Sequence, residues 1–148
     1  MTGGIGVWTS VIGVDVGTKR VGIAFADATL TIASPGAVLD RTSPAFWKQF
    51  RALLTERSCD HVVVGLARTM SGSEAEAAQL CRRFADDVLK NCSVATTLWD
   101  ERLSTVAAER SLLEGNVRRA ARRASIDAIA ASLMLQGWLD RQRGNGRQ

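Results

Sequence analysis

The chain has 148 residues, of which 46% are hydrophobic and 23% charged, a size and composition that suit one globular domain (1–148) and argue against disorder except at the ends. Apolar runs are strand-sized, far short of the roughly 20 residues a membrane span needs, and the odd trio Cys59, Cys81 and Cys92, without CxxC spacing, disfavours a disulfide framework or a zinc site. The net charge of +4 points instead to an anionic partner.

Residues 1–8 lack a basic segment followed by a sustained apolar run, so no secretory signal is expected and the expected location is the cytoplasm. The segments at about 1–9 and 143–148 are expected to be flexible, with fraying from Gly144 onward. Val11–Val16 and Val21–Ala26 read as two strands joined by a tight turn through Gly17, Thr18, Lys19 and Arg20. Asp15 lies inside the first strand. An ionised carboxylate among valines and isoleucines needs a compensating partner, such as a metal ion, a cationic ligand or a turn. Ile32–Leu39 reads as a third strand, with Pro35 suited to its start or to a sheet edge.

Ser43–Arg57 places Phe46, Trp47, Phe50, Leu53 and Leu54 at helical spacing, with Pro44 suited to the first turn. His61–Leu66 has the apolar run of a buried parallel strand. Ser73 and Glu76 form a capping-box pattern that opens a helix, with Ala77, Leu80, Cys81, Phe84 and Val88 on one face. Ser93–Trp99 is the next strand, ending at Asp100, Glu101 and Arg102. Ser104 is expected to cap a helix to about Glu114, with Gly115 and Asn116 as its stop. The arginines at 118, 119, 122 and 123 lead into a last helix carrying Ile126, Ile129, Ala130, Leu133, Met134 and Trp138. The order predicts a mixed α/β architecture with antiparallel and parallel pairing.

Three acids fall where elements meet: Asp15 in the first strand, Glu101 after a strand's carboxyl end, and Asp127 in the expected first turn of the last helix. Ligands of open α/β sheets bind at strand carboxyl ends. Carboxylates are the hard donors that Mg²⁺ or Mn²⁺ prefers. Each acid also has a structural reading: Asp15 as a turn brace, Glu101 as a solvated partner of Arg102, Asp127 as a helix-dipole acid. Arg118, Arg119, Arg122 and Arg123 fall within six residues free of acids, a pattern suited to phosphate contact or to a solvated face. His61, the single histidine, reads as a strand residue, and the cysteines read as small core hydrophobes. Trp8, Trp47 and Trp138 read as core or interface anchors, as does Trp99, although it adjoins Asp100 and Glu101.

Three segments together resemble the hallmark motifs of the YqgF/RuvX family: Val14–Gly22, then Asp100–Thr105, then Asp127–Ala131. They come in the family's order over about Val11–Leu139, nearly the whole chain. The resemblance implies an RNase H-like fold, a five-stranded mixed sheet of three antiparallel and then two parallel strands flanked by helices. It also implies a nuclease that hydrolyses phosphodiester bonds, acting on pre-16S rRNA at its 5′ end or on Holliday junctions. Asp15, Glu101 and Asp127 match the family's metal-binding acids. Lys19 and Arg20 match its first basic pair.

On this reading two Mg²⁺ or Mn²⁺ ions, roughly 4 Å apart, are held with Asp15 bridging and Glu101 and Asp127 completing one ion each. Lys19, Arg20, Arg102, Arg118, Arg119, Arg122 and Arg123 would hold the phosphates of an rRNA precursor or branched DNA. A resolvase acting on a symmetric junction would be a homodimer. The chain departs from the family at residues 65–72, where Gly65, Leu66, Ala67 and Arg68 stand without the usual proline and a usual acid is missing. A lysine common before the last-helix acid is also replaced near Ser125.

Two rivals remain from sequence. The Asp-x-Gly-Thr hairpin also resembles the phosphate loop of actin-like ATPases and sugar kinases, but a chain of this length has no room for their second lobe. A non-catalytic nucleic-acid-binding module on the same fold would be marked by loss of an acid, and all three are present.

Overall fold

The computed structural model describes residues 8–66, 74–99 and 123–146. The strands are β1 (Val11–Val16), β2 (Arg20–Ala26), β3 (Ala33–Asp40), β4 (His61–Leu66) and β5 (Ala95–Trp99). The helices are α1 (Phe46–Glu56), α2 (Glu74–Cys92) and α3 (Arg123–Gly146). One sheet forms in the order β3-β2-β1-β4-β5. The first three strands pair antiparallel and β1, β4 and β5 pair parallel, as the sequence predicts. The helix expected from Ser104 lies outside the described residues.

Strand alternation sorts the two faces. Ile12, Val14, Val16, Val21, Ile23, Val62 and Val64 point toward α1 and α2 and join Phe46, Phe50 and Phe84 in one core. Val11, Ala24 and Val63 point to α3 and meet Met134, Leu135, Trp138 and Leu139 in the other. Burial of one such aromatic or large aliphatic side chain stabilises the fold by about 1.5–3 kcal/mol. Because both faces are covered, every residue of β1 is buried, whereas the edge strand β3 is mostly exposed or half-buried. Pro35 sits on that edge, where a missing N–H costs no ladder bond. Ala24 pairs with Pro35 and Ile23 with Ala37, so the ladder slips by one residue at Gly36.

Several boundaries differ from the sequence reading: β2 begins at Arg20, β3 spans Ala33–Asp40, β5 begins at Ala95, and both α1 and the last helix are shifted. Helix α1 starts at Phe46, because the Ser43 side chain accepts a bond from the Ala45 N–H (3.1 Å) and holds residues 43–45 in a turn. Pro44 therefore precedes the helix. At its far end α3 runs through Gly146, beyond the Gly144 where fraying is expected. Near the other terminus, the Asp60 carboxylate accepts bonds from the Thr9 and Ser10 N–H groups at 2.9 and 3.1 Å.

His61 opens β4 and is 2% exposed. Its Nε2 lies 2.8 Å from Thr97 Oγ1, and its ring stacks on Trp8 at 4.1 Å with Trp138 at 5.6 Å. Nδ1 is buried without a hydrogen-bond partner among the described residues. Burial therefore disfavours the imidazolium and holds the His61 pKa below its ordinary 6.5. The unfolded chain would take up a proton near 6.5 while the folded chain would not. This contribution to stability is complete above 6.5 and is lost as pH falls below it toward the folded value. NMR titration of the single histidine should give a midpoint below 6.5, and urea unfolding should show stability decreasing from pH 7.5 to 5.5; a midpoint at or above 6.5 would contradict the burial argument.

Candidate functional site

Asp15 is 5% exposed, and its register places it at the carboxyl end of the central strand on the α3 face. Its neighbour on β2 is Gly22 and its neighbour on β4 is Gly65, which in turn pairs with Trp99 of β5. Asp15 is thus flanked by two residues without side chains, and α3 fills the gaps. A Cβ at Gly22 would overlap the Asp127 carbonyl oxygen, and one at Gly65 would come within 2.5 Å of Met134 Cγ. The missing side chain at Gly22 lets the helix backbone lie on the sheet and brings Asp127 beside the strand partner of Asp15.

Asp127 lies in the second turn of α3, not the first, because the helix already begins at Arg123. The Arg20 Nε–H donates to Asp127 Oδ2 at 2.6 Å, and the two side chains are 44% and 25% exposed. The turn that presents Lys19 and Arg20 is held from behind. Gly17 N–H donates to the Arg20 carbonyl at 3.0 Å, and Arg41 N–H donates to the Lys19 carbonyl at 2.8 Å. The Arg41 guanidinium donates to the Gly17 carbonyl at 3.1 Å and lies 5.6 Å from the Phe84 ring centre. Lys19 itself is exposed.

Sequence reading missed Arg41 and the two glycines. Glycine in a strand interior is the signal that another backbone approaches closely. Nothing local marks Arg41, whose partners are on the β1–β2 turn and α2.

Of the residues expected at the site, Arg20 pairs with Asp127, whose backbone lies on Gly22, the strand partner of Asp15, and Lys19 is on the adjoining turn. Glu101, Arg102, Arg118, Arg119 and Arg122 lie outside the described residues. Arg123 is the first residue of α3. Among the described residues no group of three or more His, Cys, Asp or Glu side chains could hold a metal ion. Asp15 and Asp127, on either side of Gly22, are carboxylates, the hard donors that Mg²⁺ or Mn²⁺ prefers. His61 is removed from them: it pairs with Val11, whereas Gly65 pairs with Asp15, about 13 Å further along the strand.

The RuvX family model, described as Holliday junction resolvase, matches residues 9–141. A protein of Myxococcus xanthus (strain DK1622) named "Putative pre-16S rRNA nuclease" is 45% identical over 133 residues, covering 89% of this chain and 88% of that protein. A protein of the same name from Paracoccus denitrificans (strain Pd 1222) is 46% identical over 141 residues, covering 93% and 88%. Among solved structures, T. thermophilus RuvC in complex with a Holliday junction substrate superposes with a TM-score of 0.54 at 16% identity, over 91% of this chain and 96% of that one.

That likeness shows the fold alone, a five-stranded mixed α/β sheet flanked by helices. The chain belongs to the RuvX family.

Seating α3 on the glycines makes a prediction about stability. Gly22→Ala should force the helix off Asp127's present position and cost about 1–3 kcal/mol by urea unfolding, with cleavage reduced in the fraction that folds. An alanine tolerated without loss would show that the helix does not rest there.

Proposed function

We propose that the chain acts as one RNase H-like domain, a divalent-metal-dependent nuclease that processes the 5′ end of pre-16S rRNA. The observation that carries this reading is the seating of Asp127 on Gly22, the strand partner of buried Asp15, beside the basic turn, in a chain 45% identical to a relative that bears the pre-16S rRNA nuclease name. Asp15, Asp127 and Glu101 would hold Mg²⁺ or Mn²⁺, two ions in the full site. Bound there, the ions would supply Lewis-acid stabilisation of the scissile phosphate and an activated water.

The protein's own groups have distinct tasks. Asp15, fixed on the central strand, would set where the ions sit. Lys19, Arg20, Arg102 and the arginines at 118, 119, 122 and 123 would grip neighbouring phosphates, giving position rather than sequence reading. Such a substrate makes the cytoplasm the place of action. The description of the family model favours a second reading, cleavage of four-way DNA junctions by a homodimer presenting two sites.

The test is cleavage of labelled precursor rRNA, duplex DNA and four-way junctions with Mg²⁺, Mn²⁺ or chelator. Precursor rRNA should be cut, and chelator should stop the reaction. Paired symmetric nicks in the junction, with rRNA left intact, would favour the second reading. Substitution of groups that merely support metal ligands costs about 10–100-fold, so Asp15→Asn should lower Mg²⁺-dependent cleavage by more than about 100-fold while circular dichroism remains native. Undiminished cleavage by the folded variant would refute the role of Asp15.

A further inference from the structure

Arg20 was expected to meet nucleic acid, yet its Nε–H is engaged with Asp127 Oδ2. This is the Arg20 side chain's one hydrogen bond among the described residues, and neither Nη group takes part. The same carboxylate is a proposed cation donor. A guanidinium 2.6 Å from that oxygen neutralises the charge a divalent cation would need, and it adds its own repulsion. The N-terminal end of α3, one turn away, brings further positive potential to the same place.

We propose that Arg20 is the resident counter-ion of Asp127 and competes with a divalent cation for that carboxylate, swinging away from it when the cation binds. Arg20 is suited to this exchange. It stands at the first position of β2, its side chain is 44% exposed, and its backbone is fixed by the Gly17 N–H and the Val16–Val21 pair. The guanidinium can therefore swing outward while its Cα stays in place. Released, it keeps its charge and its forked donors for a phosphodiester at the same edge of the sheet. Cation uptake and nucleic-acid binding would then reinforce one another through a single side chain. By linkage each would strengthen the other by the same factor.

This inference rests on the nuclease reading, and its test separates the two. Mn²⁺ alone, without nucleic acid, is titrated calorimetrically into the wild type and into Arg20→Gln, Arg20→Lys, Asp15→Asn and Asp127→Asn. Exposed ion pairs are weak, so Arg20→Gln should bind Mn²⁺ about two- to fivefold more tightly than the wild type. Arg20→Lys keeps the charge and should stay close to the wild type. Asp15→Asn and Asp127→Asn should both lose Mn²⁺ affinity.

Unchanged or weaker binding by Arg20→Gln, with both aspartate variants impaired, would overturn the counter-ion role and leave the nuclease reading standing. Equal tightening by Arg20→Lys would also overturn it, because charge would not be the cause. Full Mn²⁺ affinity in both aspartate variants would overturn the carboxylate site and the counter-ion role together. Thermal melts of each variant establish that the titrated protein is folded.

Discussion

The contact between helix α3 and the row of residues around Asp15 governs the rest of the molecule. A central strand covered on both faces offers a carboxylate no room unless its neighbours lack side chains, and here both neighbours, Gly22 and Gly65, are glycines. The space they leave is taken by the Asp127 backbone and by Met134. The same close approach that buries Met134, Leu135, Trp138 and Leu139 against the sheet thus sets Asp127 on Gly22, the strand partner of Asp15. Core packing and site assembly are one event in this fold, so a side chain at Gly22 disturbs both.

The basic turn is held with comparable economy. Two donors of Arg41 clamp the Gly17 and Lys19 carbonyls, and the Phe84 ring under its guanidinium ties that clamp to the aromatic core. Lys19 and Arg20 are thereby presented from a rigid hairpin, at the edge where the parallel strands β1, β4 and β5 end. Strand carboxyl ends are the usual ligand side of an open α/β sheet. His61, at the opposite end of β4, serves the core by stacking on Trp8.

Much of this could be read in the sequence because its cause is local. Apolar runs and the Gly17–Arg20 turn marked β1, β2 and β4, and the order of elements gave the mixed sheet. The start of α1 was misread because the Ser43 hydroxyl competes for the backbone at 43–45, a choice that periodicity does not reveal. Asp127 fell one turn deeper in its helix than expected because Arg123 is already helical. The partnership of Arg20 with Asp127 joins residues 107 positions apart, and no local pattern encodes it. It changes how the basic turn is understood, since one of its two cations answers a carboxylate inside the protein.

The central claim is that Asp15 and Asp127 together hold a divalent cation at the edge of the sheet. Anomalous diffraction from crystals equilibrated with Mn²⁺ tests it most directly. The account predicts an anomalous peak in contact with oxygens of both carboxylates, with Arg20 turned away from Asp127. A peak elsewhere, with the Arg20–Asp127 pair intact in Mn²⁺, would contradict it.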